Sequence, residues 1–87
     1  MQELVCSYAW DCGTALRVFG CESGLTADAY NSGGSYGVAQ IQWYWHREKL
    51  RAVAGSDNPS LLFDPNINLD VAWIIYADQG WGPWSCY

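Results

Sequence analysis

Residues 11–24 read DCGTALRVFGCESG, and this stretch decides the fold. Asp11 is placed to cap the amide of Thr14, and Ala15, Val18, Phe19 and then Glu22 recur at i, i+3, i+4 and i+7, one face of an α-helix. Gly24 follows as a natural C-terminal stop. The spacing therefore predicts a helix over Asp11–Ser23 with an apolar stripe facing inward and Glu22 at the end of that stripe.

Working outward, residues 29–42 (AYNSGGSYGVAQIQ) change character. Asn-Ser-Gly-Gly in the middle, aromatics on either side and weak alternation afterwards predict a short hairpin or ordered loop. A second helix is predicted over Trp43–Ala54, ended by Gly55, with SDNPS as the loop beyond it. Asp64-Pro65 then supplies a cap and a first-turn proline for a third helix running to Gln79 and closed by Gly80. That helix is expected to turn Ile67, Val71, Ile74 and Ile75 toward the core. The tail GWGPWSCY (residues 80–87) cannot stay helical through its Gly-Pro steps. The expected fold is α+β and mainly helical, one domain over residues 1–87 with a short β-hairpin.

Only one core fits in 87 residues, and a domain of this size needs extra stabilisation because it buries proportionally little surface. Half of the chain is hydrophobic (51%), 16% is aromatic with six Trp and six Tyr, and there are four cysteines. Such a composition excludes a disordered tail. The cysteines, Cys6, Cys12, Cys21 and Cys86, follow C-x5-C-x8-C-x64-C. No CxxC pair is present and His46, the one histidine, lies far from every cysteine, so disulfides in an oxidising compartment are favoured over a metal site. No metal or cofactor is expected.

A net charge of -5 leaves no basic patch to release counterions from phosphates, which excludes nucleic acid as a partner. It also weighs against simple cationic attachment to an anionic wall. The longest apolar run, Val71–Ala77, is too short to span a bilayer, and no basic segment followed by an apolar run marks a signal peptide.

Glu22 is the most informative residue for chemistry. A carboxylate at the end of an apolar stripe is expected to be partly desolvated, which keeps a proton available for a general acid. The competing reading is a surface Glu in the last turn of a helix. Its surroundings favour the functional one: Glu22-Ser23-Gly24-Leu25, then Ala29-Tyr30-Asn31, then Ser35-Tyr36-Gly37-Val38-Ala39-Gln40-Ile41. In this order and at this short spacing they resemble the ESG…N…S-x-G-hydrophobic-x-Q-I signature of the lysozyme-like superfamily, in particular soluble lytic transglycosylases and goose-type lysozymes.

A second resemblance is closer in size. Cys21-Glu22-Ser23-Gly24 and the tail Gln79-Gly80-Trp81-Gly82-Pro83-Trp84-Ser85-Cys86 look like the catalytic domain of resuscitation-promoting factors. There the cysteine before the catalytic Glu pairs with one in the C-terminal tail. Carried over, the resemblance implies a Cys21–Cys86 bond and leaves Cys6 and Cys12 to each other. It covers roughly Trp10 to Cys86, loosely over Trp43–Leu62. Val38-Ala39 stands where transglycosylases carry Leu-Met or Leu-Phe, and Pro83 precedes the last Trp instead of following it. Neither departure touches the proposed acid.

The resemblance implies cleavage of the N-acetylmuramic acid to N-acetylglucosamine bond of peptidoglycan, with Glu22 as acid and then base. Glycosidases commonly use two carboxylates. Asp28 is the nearest second candidate, but it reads equally as a loop residue, and Asp57, Asp64, Asp70 and Asp78 have ordinary cap or helix roles. No acid falls in residues 35–42, where an animal-type lysozyme carries its partner. The expectation is a lytic transglycosylase that closes a 1,6-anhydro ring, with a hydrolytic muramidase as the alternative. A non-catalytic wall-binding module on the same scaffold is the alternative of another class.

Sugar sites pair aromatic faces with amides and hydroxyls, so Tyr36, Gln40, Ser23, Asn31, Tyr30 and Trp81 are the expected substrate contacts. Ser23 reads as an orienting hydroxyl, since no base accompanies it. Trp10, Trp73 and Trp84 read as core; Trp43, Trp45 and Trp81 read as cleft wall. His46 reads as a surface helix residue. The partner is expected to be peptidoglycan, met at the cell wall by a secreted or phage-delivered domain that acts as a monomer or as one module of a larger protein.

Overall fold

The computed structural model describes all residues, Met1 to Tyr87. Four α-helices, α1 (Gln2–Val5), α2 (Cys12–Ser23), α3 (Trp43–Ala54) and α4 (Pro65–Gln79), are accompanied by a small antiparallel sheet. The strands are β1 (Tyr30–Asn31), β2 (Ser35–Tyr36) and β3 (Ile41–Gln42), and a 3-10 helix covers Pro59–Phe63.

Two of the three long helices begin on a side-chain cap, and all three end on a glycine. The Asp11 carboxylate accepts from the Thr14 amide at 2.9 Å and from its hydroxyl at 2.8 Å, and Gly24 closes α2 in the left-handed region at φ 67°. Asp64 caps α4 by accepting from Asn66 N at 2.8 Å, with Pro65 in the first turn. Gly55 ends α3, also left-handed.

The region expected as a hairpin has three strands instead of two. β1 pairs with β2 (Tyr30 opposite Tyr36, Asn31 opposite Ser35), and β2 pairs with β3 (Ser35 opposite Gln42, Tyr36 opposite Ile41). The Asn31 side chain accepts from Gly33 N at 2.7 Å and its carbonyl from Gly34 N at 2.8 Å, which sets the β1–β2 turn.

Strands of two residues have too few ladder bonds to hold themselves. Their support comes from Asn68 on α4, a fully buried polar residue. Its Oδ1 accepts from Ala39 N at 2.9 Å, and its Nδ2 donates to Tyr36 O at 2.8 Å and Leu62 O at 2.9 Å. One amide thus satisfies three backbone groups in the β2–β3 connection and the 3-10 helix. Gly37 makes this possible: it stands at φ 75°, and a Cβ there would lie 2.3 Å from Asn68 Nδ2 and 2.4 Å from Leu62 O.

The core joins Ala15, Val18 and Phe19 of α2 to Val38, Ala39, Ile41, Leu50 and Leu62, and to Leu69, Val71, Ala72 and Ile75 of α4. Ile74, expected to point inward, is exposed, because α4 packs against α3 and the 3-10 helix on a face centred on Asn68, Ala72 and Ile75. Trp10 and Trp84 are buried and Trp73 partly so. Trp10 anchors an aromatic cluster with Tyr8, Phe19, Trp73, Tyr76 and Trp81, ring centroids 4.9–5.7 Å away. Two disulfides, Cys6–Cys12 and Cys21–Cys86, staple the ends of the chain to α2. No helix is long and apolar enough to cross a membrane.

Candidate functional site

α2 delivers Glu22 in its last turn, half-buried, one residue after Cys21. The Cys21–Cys86 bond brings the C-terminal tail over this turn. There the Cys86 amide donates to Glu22 Oε2 at 3.0 Å, and the Ser85 hydroxyl donates to the same oxygen at 3.3 Å. Oε1 has no protein partner and is not buried. One carboxylate oxygen is therefore fixed and the other left open.

Glu22 lines an open cavity of about 530 Å³. One side of its lining comes from α4 and the tail (Ile75, Gln79, Pro83, Trp84, Ser85) and another from the sheet (Asn31, Gly33, Ser35, Gln40, Ile41, Gln42). Trp45 and His46 of the first turn of α3 complete it. Among these residues Glu22 is the only carboxylate, and none is Lys or Arg. The remaining polar groups are neutral: Asn31, Gln40, Gln42 and Gln79 amides, two serines and one imidazole.

Of the residues singled out in the sequence, Glu22, Asn31 and Gln40 come together in the cavity, and Trp45 joins them from the cleft-wall candidates. Gln40 sits at φ 51° with Nε2 donating to Gly37 O at 3.0 Å and Ala29 O at 3.3 Å, so its amide also braces the loop that carries it. The other expected sugar contacts and cleft-wall residues lie outside the lining. Ser23 Oγ shares its single proton between Val38 O, the nearer acceptor at 2.6 Å, and Phe19 O at 3.1 Å, tying α2 to the β2–β3 loop. Tyr36 packs edge-on between Tyr30 and Phe63, with Tyr30 largely exposed. Trp81 is spent in the aromatic cluster, against Phe19, Tyr76, Trp84 and Tyr87. Trp43 Nε1 donates to Asp57 O at 2.7 Å, bracing α3 against the loop after it. Asp28 is exposed and does not line the cavity.

His46 departs from its reading as a surface helix residue. It is half-buried, lines the cavity and occupies a kink in α3 (φ -123°, ψ 21°). Burial, reinforced by the nearby positive charge of Lys49, holds its imidazole below the ordinary histidine value. A signal was present: His46 lies four residues before the buried Leu50, in phase with the inner face of the helix. Asn68 was missed too, although it is in phase with Val71, Ala72 and Ile75, and a polar residue inside a core stripe marks a buried hydrogen-bonding hub. Three comparisons with known proteins found no similarity: no family model, no curated protein and no solved structure matches this chain.

Proposed function

We propose that this chain cleaves peptidoglycan glycan strands by a lytic transglycosylase reaction, with Glu22 as the acid and base. The observation that carries this reading is a single carboxylate in a cavity whose other polar lining is neutral amide, hydroxyl and imidazole, with no cation. Such a lining suits a ligand rich in hydroxyl and acetamido groups and offers nothing to pair with a phosphate. The motif resemblance of residues 22–41 to lysozyme-like enzymes supplies the bond: the link from N-acetylmuramic acid to N-acetylglucosamine.

With Oε2 occupied by the Cys86 amide, the catalytic proton sits on Oε1. Oε1 gives it to the glycosidic oxygen as that oxygen leaves C1. The substrate's own acetamido oxygen stabilises the cation, a role that needs no second protein carboxylate. The Glu22 carboxylate then removes the proton of the 6-hydroxyl as that oxygen bonds to C1, closing the 1,6-anhydro ring and restoring the acid. Attack by water instead makes the enzyme a muramidase. The two disulfides fit an oxidising, extracellular setting, and the proposed place of action is the cell wall.

Purified protein incubated with peptidoglycan is expected to release muropeptides one water lighter than those with reducing ends. Glu22→Gln keeps an acceptor for the Cys86 amide but loses the proton, so release should fall by at least about 100-fold with an unchanged melting curve. Undiminished release by that variant would overturn the proposal, and reducing-end products would make the enzyme a hydrolase. No release by the wild type, with glycan binding retained, would make it a wall-binding module.

A further inference from the structure

His46 is a polar group on the cavity wall that the cleavage chemistry does not use. Its Nδ1 is buried and has no hydrogen-bond partner, whereas Nε2 makes no protein hydrogen bond and is not buried. A neutral imidazole carries one N–H and one bare nitrogen. Protonation would place both a charge and a second N–H on the buried, unpartnered side, at a cost that the neutral ring avoids. The Nε2–H tautomer is also the intrinsically preferred one, and it is assigned here on these grounds. The ring is thereby held neutral, with its donor on the open side.

The residue before it supplies a surface. Trp45 lines the same cavity yet is 72% exposed, whereas the five other tryptophans of the chain are buried or partly buried. Tyr44 packs edge-on against it at 5.2 Å. The guanidinium of Arg47, the residue after His46 along the helix, lies over Tyr44 at 4.7 Å and over Trp43 at 5.4 Å. Its charge is engaged by aromatic faces and it does not line the cavity. An open indole beside a fixed neutral donor matches one sugar unit, which has an apolar ring face and, at its edge, uncharged oxygens that accept hydrogen bonds.

We propose that Trp45 and His46 form a sugar subsite on the α3 wall of the cavity. There the indole stacks on an N-acetylhexosamine ring and the Nε2–H of His46 donates to an uncharged oxygen of the same unit. This subsite rests on reading the cavity as a glycan site. It concerns strand recognition and is separable from bond cleavage.

The test titrates a trimer of N-acetylglucosamine into the Glu22→Gln protein and follows binding by calorimetry and by 15N NMR of the imidazole. In that background Trp45→Ala and His46→Phe should each weaken binding about ten-fold, and His46→Gln, which restores a neutral donor, should stay within about three-fold of the parent. In protein without a His46 substitution, the 15N spectrum should show the proton on Nε2, with a shift of that resonance on adding trimer. Unchanged affinity in Trp45→Ala or His46→Phe, a proton on Nδ1, or no binding of the trimer would each overturn the subsite. The cleavage reading fails separately: trimer binding with these losses, but no muropeptide release by the wild type, keeps the subsite and removes the reaction.

Discussion

The two sides of the cavity are held by different physics. The side that carries Glu22 is covalent: Cys21, next to the acid, is bonded to Cys86, whose amide grips Oε2, and buried Trp84 seats the tail by donating to Ala39 O at 2.8 Å. The side that carries Asn31, Gln40 and Gln42 consists of two-residue strands held by one buried amide, Asn68. A cross-link acts chiefly by restricting the unfolded chain, and a buried amide by satisfying groups that folding takes out of water. The acid is thus placed by a bond that spans the sequence, and the opposite wall by three hydrogen bonds from a single residue.

Breaking the covalent side should have the largest effect. The Cys21–Cys86 bond joins residues 65 apart, and a loop of that length is worth about 4 kcal/mol in the chain-entropy view. That is a large share of the stability of so small a domain. The paired variant Cys21→Ala with Cys86→Ala should therefore melt well below the wild type and lose the Glu22 contact to the tail. Cys6–Cys12, with a separation of 6, should cost about 2 kcal/mol when removed in the same way. Equal losses from the two pairs, measured by denaturant unfolding, would refute the idea that the long bridge carries the acid side.

Breaking the hydrogen-bonded side comes next. Asn68→Ala strands Ala39 N, Tyr36 O and Leu62 O, and at about 1 kcal/mol or more for each buried unpaired group it should cost about 3 kcal/mol. The effect should be lopsided. Hydrogen exchange should quicken in β2 and β3 while α2 near Cys21 stays protected. Uniform loss of protection would mean that the two sides unfold as one unit.

The two sides also differ in how far they could be read from the sequence. Helix ends are local, so Asp11, Gly24, Asp64-Pro65 and Gly80 mark α2 and α4 to within one residue of the bounds in the structure. The apolar stripe of α2 likewise put Ala15, Val18 and Phe19 in the core and Glu22 at its edge. The disulfide framework was legible as a cysteine pattern, and its pairing followed from the resemblance. The sheet side was less legible. Asn68, far along the chain, holds the loop between β2 and β3, and apolar periodicity puts Asn68 on the inner face without naming the groups its amide meets. Tyr36, expected as a sugar contact from its place in the motif, and Trp81, expected as cleft wall, both pack against other aromatics. His46 reads as surface because it stands beside Arg47 and Glu48, although its phase with the buried Leu50 points inward, and the kink at His46 is a departure that spacing does not show.

The smallest effect separates a local cap from both sides of the cavity. Asp11 caps α2 at the end opposite Glu22, and the hydrogen bonds from the Thr14 amide and hydroxyl hold its carboxyl below the usual value of 3.8. A folded value below the unfolded one contributes stability that is fully present above about pH 4 and is lost as pH falls through the lowered value. Asp11→Asn keeps a side-chain oxygen for the Thr14 amide but cannot titrate, so it should retain the helix while removing this part of the acid-side slope of stability against pH. Because the carboxylate lies at the surface, the change should be slight, visible as a small difference in melting temperature between pH 5 and pH 3 relative to the wild type. Trimer binding at neutral pH should be unaltered, since Cys86 and Ser85, and not the cap, hold Glu22. A change in binding in Asp11→Asn would show that α2 transmits its N-terminal cap to the acid, and the covalent tail would then not be the sole support of that side.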